Sequence, residues 1–274
     1  MIRKRGLALL YYCCASVISI LILIPFFWMI STSLKETGAL LIVPVQWIPE
    51  HISFEGYKKV FTLFPFARAL FNSSFIAVVS TAVTLLSSLM AAYAFSKLEF
   101  RGRETYFKLY LATMMVPQQV TIIPIFIVLK SMGLVNTYTG VILPLIFNAF
   151  AVFMFRQHMK TISNDYIDSA VIDGASHPRI FKDIILPLSA PIIAMMVILT
   201  FMGSWNDFLW PLVILNDKSK MTLPLALNQL NGQYYGRYNM LMAGSLMSMI
   251  PILVIYAFAQ KYFKAGLQVG GIKG

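Results

Sequence analysis

Apolar residues in this chain gather into long unbroken runs separated by short polar stretches. Windows free of Asp, Glu, Lys and Arg cover residues 6–34, 69–96, 109–129, 131–155, 184–206 and 238–260. Each is long enough to cross a hydrocarbon core, which takes about 20 helical residues. The runs lack the in-out alternation of lipid-facing strands, so helices are expected rather than a β-barrel. The pattern predicts an all-α membrane protein with six transmembrane helices over about 7–31, 70–95, 106–129, 137–155, 185–206 and 239–260, in one domain over 1–274.

The polar interruption at 163–187, between the fourth and fifth runs, carries more pattern than a simple crossing loop needs. Asp165 can cap a helix whose first turn also holds Asp168, so negative charge meets the positive end of the helix dipole. Tyr166, Ile167, Ala170 and Val171 then fall on one stripe. Gly174 supplies a left-handed stop, and Ser176 with Pro178 starts a second helix carrying Ile180, Phe181, Ile184 and Ile185. By composition alone, a helix pair lying on the inner leaflet and an element docking into a partner account for this pattern equally well.

Composition agrees with the membrane reading. Hydrophobic residues make up 58% and charged residues 12% of the 274 positions, and mean hydropathy is +0.74; charged residues are about a quarter of a soluble domain. Arg3-Lys4-Arg5 precede the first run as in a secretory signal, but the run is too long for one and no small-x-small cleavage site follows, so a retained span is expected. With the N-terminus inside, Arg3, Lys4, Arg5, Lys97, Arg101, Arg103, Lys108, Arg156, Lys160, Arg179, Lys182, Lys261, Lys264 and Lys273, or 14 of the 22 basic residues, face the cytoplasm. Both termini are therefore assigned inside. The same rule explains the net charge of +11 without a nucleic-acid partner.

The outer segments, 32–68 and 207–237, contain apolar pieces too short to cross, at 40–45 and 208–215, and Trp47 and Trp210 suit the headgroup level. Cys13 and Cys14 lie side by side in the first run with no metal-ligand spacing and read as apolar filler. His51, His158 and His177 are isolated, and no Ser-His-Asp set, carboxylate pair or metal cluster stands out, so no catalytic or metal-binding residue is expected. No G-x-x-x-x-G-K-[ST] phosphate loop occurs; Gly266, Gly270 and Gly271 are not followed by Lys-Ser or Lys-Thr in that frame.

The segment Asp168-Ser169-Ala170, Asp173-Gly174-Ala175, Phe181, Ile184, Leu186 and Pro187 resembles the E-A-A…D-G-A…F…I-x-L-P signature of bacterial ATP-binding-cassette import permeases. Asp168 stands where that signature has Glu, and Ser169 where it has its first Ala. Trp205-Asn206-Asp207-Phe208, Thr222-Leu223-Pro224-Leu225 and the ending Ala265-Gly266-Leu267…Gly271-Ile272-Lys273-Gly274 are similar to the smaller permease subunit of the maltose-type carbohydrate importers.

The resemblance implies that the loop 163–187 is a cytoplasmic coupling element seated in a groove of a separate ATPase, with Asp168, Ala170, Asp173, Gly174, Ala175, Phe181, Ile184 and Pro187 as coupling residues. Asp168 and Asp173 would be recognition or helix-end charges, Gly174 the bend and Phe181 the anchor in the groove, and the tail through Lys273-Gly274 would reach between the ATPase subunits. It further implies a second homologous permease, two ATPase subunits that use ATP and Mg, and an extracellular or periplasmic sugar-binding protein. The place of action would be the bacterial cell membrane, among its lipids. The chain itself would bind no cofactor and would not be an enzyme.

Substrate contacts are sought among polar residues at membrane depth. Asn72, Gln118, Gln119 and Asn148 are accounted for equally by hydrogen bonds between helices and by a sugar contact. Pro117 and Pro124 loosen the helix around the glutamine pair. Trp205 and Asn206 combine a stacking face with an amide, a pairing that suits carbohydrate. A secondary transporter or channel is the competing class, but it calls for ionisable residues within the spans, where the windows have none. The two halves show no convincing inverted repeat, which also counts against that class. An intramembrane enzyme would need a reactive cluster that the sequence does not display.

Overall fold

A computed structural model describes residues 2–37, 46–63, 65–233 and 237–270. In chain order the helices are α1 (Ile2–Ser33), α2 (Glu55–Leu63), α3 (Phe66–Lys97), α4 (Arg103–Ala112), α5 (Gln118–Ser131), α6 (Tyr138–Ile142), α7 (Ala149–Thr161), α8 (Asp165–Ile172), α9 (His177–Ile180), α10 (Leu186–Leu188), α11 (Ala190–Trp205), α12 (Leu209–Ile214), α13 (Leu223–Gln233) and α14 (Tyr238–Gly270). Three continuous helices are long and apolar enough to cross a membrane: Leu10–Ser33, Phe66–Lys97 and Tyr238–Phe258. Three further apolar stretches are each bent, Arg103–Met115 with Gln118–Ser131 by 102°, Tyr138–Leu145 with Ala149–Thr161 by 43°, and His177–Leu188 with Ala190–Trp205 by 80°.

Local chemistry explains the bends. Before Pro117, Val116 is extended at φ −85°, ψ 116°, as the proline ring requires of its predecessor, and α5 restarts after it. At the second break Asn148 leaves the helical region and its side chain accepts the Ala151 N–H, which caps α7. At the third, Ser189 sits at ψ 2° with Pro191 in the first turn of α11. Apolar continuity in sequence therefore does not make one straight rod, because a proline or a cap residue ends the hydrogen-bond ladder inside the run.

The chain forms two compact units, Met1–Ala67 with Ala226–Ile250, and Arg68–Leu225 with Pro251–Gly274. In the first, no residue of α1 from Leu10 to Ile30 is buried by its own chain, so that apolar surface suits lipid or another polypeptide. Beyond it the backbone is pinned by polar groups. Ser31 Oγ donates to Trp47 O at 2.6 Å, and Lys35 Nζ donates to Gln46 O while standing 4.4 Å from the centre of the Trp28 ring. Burial pushes the Lys35 ammonium below its ordinary pKa. Asn239 Nδ2 donates to Lys35 O at 3.0 Å and to Thr37 Oγ1 at 3.2 Å. Gly56 permits this closeness, since a Cβ there would lie 2.8 Å from Asn239 O.

The second unit is built on α3, which contributes Leu85, Leu89, Ala92 and Tyr93 to one core with Phe107, Val152, Phe155 and Met159. Ile167, Ile180, Ile185 and Met196 join the same core, so the loop after α7 is packed into the body of this unit. A second core gathers Ile76, Leu129, Val141, Ile142, Trp210 and Ile214. Arg156, 2% exposed, donates to Phe95 O at 3.0 Å, pairs with Glu104 and lies 3.9 Å from the Phe107 ring centre. Such a cation is tolerated at depth only because carbonyl, carboxylate and ring surround it.

Asn136, at φ 61°, is a left-handed non-glycine residue in the turn before α6. Its Oδ1 accepts the N–H groups of Asn216 and Asp217, which holds the stretch after α12 to that turn. The apolar piece at 40–45 and the terminal Lys273-Gly274 lie outside the described residues.

Candidate functional site

The elbow between α7 and α11 is made by short-range backbone chemistry. Asn164, not Asp165, precedes α8; its side chain is spent on Lys97, whose Nζ donates to Asn164 Oδ1 at 2.8 Å and to Ile162 O at 2.6 Å. Asp165 is the first helical residue, and its carboxylate accepts Ser163 Oγ at 2.8 Å. At the far end Gly174 takes φ 78°, the Gly174 N–H bonds Val171 O at 3.0 Å and the Ala175 N–H bonds Ala170 O at 2.9 Å. That paired arrangement closes a helix through a left-handed glycine. Nothing lies within 4 Å of where a Gly174 Cβ would be, so its conformation, not crowding, demands glycine.

Beyond Ser176, α9 runs into a widened turn in which the Leu186 N–H reaches back five residues to Phe181 O. Pro187 has no N–H to give to the preceding turn, and the helix loosens there. Tyr93 on α3 anchors this arm: its hydroxyl lies 3.1 Å from His177 Nδ1 and its ring 5.4 Å from that of Phe181. His158 Nε2 lies 3.1 Å from Leu188 O at the other end.

The elbow residues separate by burial. The stripe Tyr166, Ile167, Ala170 and Val171 is divided: Ile167 is buried and Ala170 half-buried, while Tyr166 and Val171 face outward beside Ile172, itself 85% exposed. Phe181, expected to anchor in a partner, is half-buried, with its ring 5.4 Å from that of Tyr93. Ile184 and Ala175 are half-buried with it, whereas Asp168, Asp173, Gly174 and Pro187 are exposed.

The polar residues expected along a pathway also separate. Asn72 is 1% exposed; its Nδ2 donates to Ser219 O at 3.0 Å and Met221 O at 2.9 Å, and its Oδ1 accepts the Tyr138 hydroxyl at 2.7 Å. It is a clamp with its amide fully engaged. Trp205, 2% exposed, stacks on Phe201 at 5.5 Å and offers no free face to a ligand. Asn148 caps α7 and Asn206 is exposed after α11.

Gln118 and Gln119 remain exposed, and they share a small cleft of about 40 Å³ with Ile122, Asp207, Leu209 and Trp210. Asp207 Oδ1 accepts the Trp210 N–H at 3.2 Å. Burial pushes this carboxyl above its usual range, against the bonds from the Trp210 and Leu209 N–H groups. A sequence signal for Asp207 exists: it is the first charge after the run 184–206. A larger cavity of about 460 Å³, lined by Ser87, Ala91, Phe95, Tyr110 and neighbours, is almost wholly apolar.

The described residues thus form bent apolar helices of membrane-crossing length, with an elbow that leaves an apolar patch exposed. Residues 83–269 match the family described as binding-protein-dependent transport system inner membrane component. The chain is 40% identical over 94% of its length to the arabinooligosaccharides transport system permease protein AraQ of Bacillus subtilis, covering 92% of that protein. It is 33% identical to the galactooligosaccharides transport system permease protein GanQ of the same species, over 99% of this chain and 98% of that one. A chain from the crystal structure of a bacterial ABC transporter involved in the import of the acidic polysaccharide alginate superposes with a TM-score of 0.84 at 25% identity, over 94% of this chain and 97% of that one.

The chain belongs to the binding-protein-dependent transport system inner membrane components, the permeases of ATP-binding-cassette importers. It is a multi-pass inner-membrane component, not an enzyme, and ATP hydrolysis belongs to a separate subunit.

Proposed function

We propose that this permease forms half of the translocation pathway of an oligosaccharide importer, and that the elbow 163–187 couples it to the ATPase. The relatives at 40% and 33% identity carry names that specify oligosaccharide transport, which supports the substrate class. Each bent pair counts as one crossing, giving six spans, with both termini and the elbow on the cytoplasmic side where the basic residues lie. A second homologous permease supplies the other half, two ATPase subunits use ATP and Mg, and a sugar-binding protein outside delivers the substrate.

The observation that carries the coupling reading is the exposed face of α8. Ile172, Val171 and Tyr166 stand out beside Asp168, Asp173 and the bend at Gly174, an apolar patch with a charged rim that fits a groove in a partner. Phe181, Ile184 and Ile185 serve as the root that transmits motion through Tyr93 into α3. Closure of the ATPase pair pulls the elbow, and the rigid root converts that displacement into rocking of the spans.

The test is reconstitution in liposomes with the second permease, the ATPase and the binding protein, using arabinotriose or galactotriose as probe. Uptake should require ATP and every subunit, and a cysteine at Ile172 should cross-link to the ATPase. Uptake without nucleotide or without the second permease would remove the importer reading. An Ile172 cysteine that never reaches the ATPase in an active complex would remove the elbow's role.

A further inference from the structure

Asp207 differs from the other acidic groups described in the second unit by its burial: Glu99, Glu104, Asp165, Asp168, Asp173, Asp183 and Asp217 are all exposed. Glu104 pairs with Arg156, Asp183 with Arg179, and Asp165 accepts Ser163 Oγ on the exposed elbow. Asp207 is partly buried, and among the described residues it forms no ion pair. Its bonds from backbone N–H groups at the start of α12 leave acceptor capacity on the carboxylate, since two oxygens offer about four lone-pair sites. A carboxylate held this way at the end of an apolar helix is costly without a use.

The cleft beside it supplies the complementary groups. Gln118 and Gln119 lie where Pro117 breaks the helix, and both are exposed. Each amide offers donors and an acceptor, whereas the carboxylate only accepts. Trp210 adds an apolar wall, because its indole N–H is already given to Gly140 O at 3.2 Å. Donors, acceptors and a flat apolar surface together match a hydroxylated ring edge. A volume of about 40 Å³ admits a hydroxyl-bearing edge and not a whole ring, so the remainder of the sugar lies outside the notch.

We infer that Asp207, flanked by Gln118 and Gln119, is a substrate contact that reads hydroxyl groups of the passing saccharide. Adjacent hydroxyls donate to the carboxylate, and the glutamine amides complete their hydrogen bonding. This rests on the oligosaccharide-importer reading above and adds a specificity-determining carboxylate to it. Charge-assisted bonds of this kind discriminate strongly, because a missing hydroxyl leaves a desolvated carboxylate unsatisfied.

The test uses the complete importer in liposomes, with arabinotriose or galactotriose and their monodeoxy analogues as probes. Asp207→Asn keeps an oxygen for the Trp210 N–H and preserves size, so the cap survives while the charge is lost. Uptake kcat/KM should fall roughly tenfold to a hundredfold, mainly through KM, and the preference for parent sugar over one deoxy analogue should collapse. Gln118→Leu with Gln119→Leu, at exposed positions that take no part in the Asp207–Trp210 bond, should weaken the same preference. Asp207→Asn with unchanged uptake and preference would overturn the inference, most plainly if Asp207→Ala loses uptake only in step with thermal stability, the mark of a helix cap. Unchanged preference in the glutamine double variant would also overturn it. Failure of the unaltered complex to import any saccharide would overturn the importer reading and this contact together, an outcome distinct from normal import by the Asp207 variant.

Discussion

Replacing Gly174 by valine isolates the mechanical role of the elbow from its surface chemistry. At φ 78° a residue with a Cβ carries a backbone penalty of about 1–2 kcal/mol, and a β-branched side chain stands at the upper end of that range. Apart from its chain neighbours, no atom lies within 4 Å of the added Cβ, so the cost falls mainly on the bend. The bend is held by two backbone bonds, from the Ala175 N–H to Ala170 O and from the Gly174 N–H to Val171 O, each worth on the order of 1 kcal/mol net. The penalty is therefore comparable to what holds the turn closed. A change of that size shifts the balance between bent and rearranged elbow by a factor of about 5–30. In the reconstituted complex, ATP hydrolysed per sugar imported should rise several-fold, while membrane insertion and the cores of the second unit persist. Amide exchange should quicken over 165–176 and stay slow in α3. Asparagine, which tolerates the left-handed region better, should fall between glycine and valine. Fully coupled uptake by the valine variant, with unchanged exchange at the elbow, would refute the reasoning.

Two further outcomes follow from buried polar groups. Asn72→Leu should destabilise the second unit by about 2–4 kcal/mol, because it strands Ser219 O, Met221 O and the Tyr138 hydroxyl together; a thermal midpoint in detergent near that of the unaltered protein would contradict the clamp. Asp207 has its carboxyl pKa raised on folding, so the folded state holds its proton more tightly and stability falls as pH rises through the ordinary carboxylate range toward the raised value. Asp207→Asn should therefore melt higher than the unaltered protein at neutral pH, with the gain shrinking as pH falls into the acid range; an equal or lower midpoint at neutral pH would show that the carboxylate stabilises the fold.

What could be read before folding was whatever depends on neighbours in sequence. The apolar runs imply helices in a membrane, since a hydrocarbon core leaves a chain no other way to satisfy its backbone inside one segment. The stop at Gly174 is equally local: a helix ending in Asp-Gly closes on bonds spanning only residues 170–175, and the structure places that bend there. The proline before Gln118 announced a loosened helix, though not a turn of 102°.

Which side of a helix looks inward was decided elsewhere. Tyr166, Ile167, Ala170 and Val171 form one stripe by spacing, but α3 and α7 approach from a direction that takes Ile167 and leaves Tyr166 and Val171 outside. Phe181 and Trp205 are aromatic and would suit a ligand or partner, yet Phe181 is half-buried against Tyr93 and Trp205 is buried and stacked on Phe201. Asn72 needed partners more than 140 residues away to become a clamp, and Asp207 needed a kinked helix from another part of the chain to acquire its glutamine neighbours. Periodicity records a chain's local geometry, whereas burial and hydrogen bonding depend on which distant segments arrive, and that assignment exists only once the tertiary structure has formed.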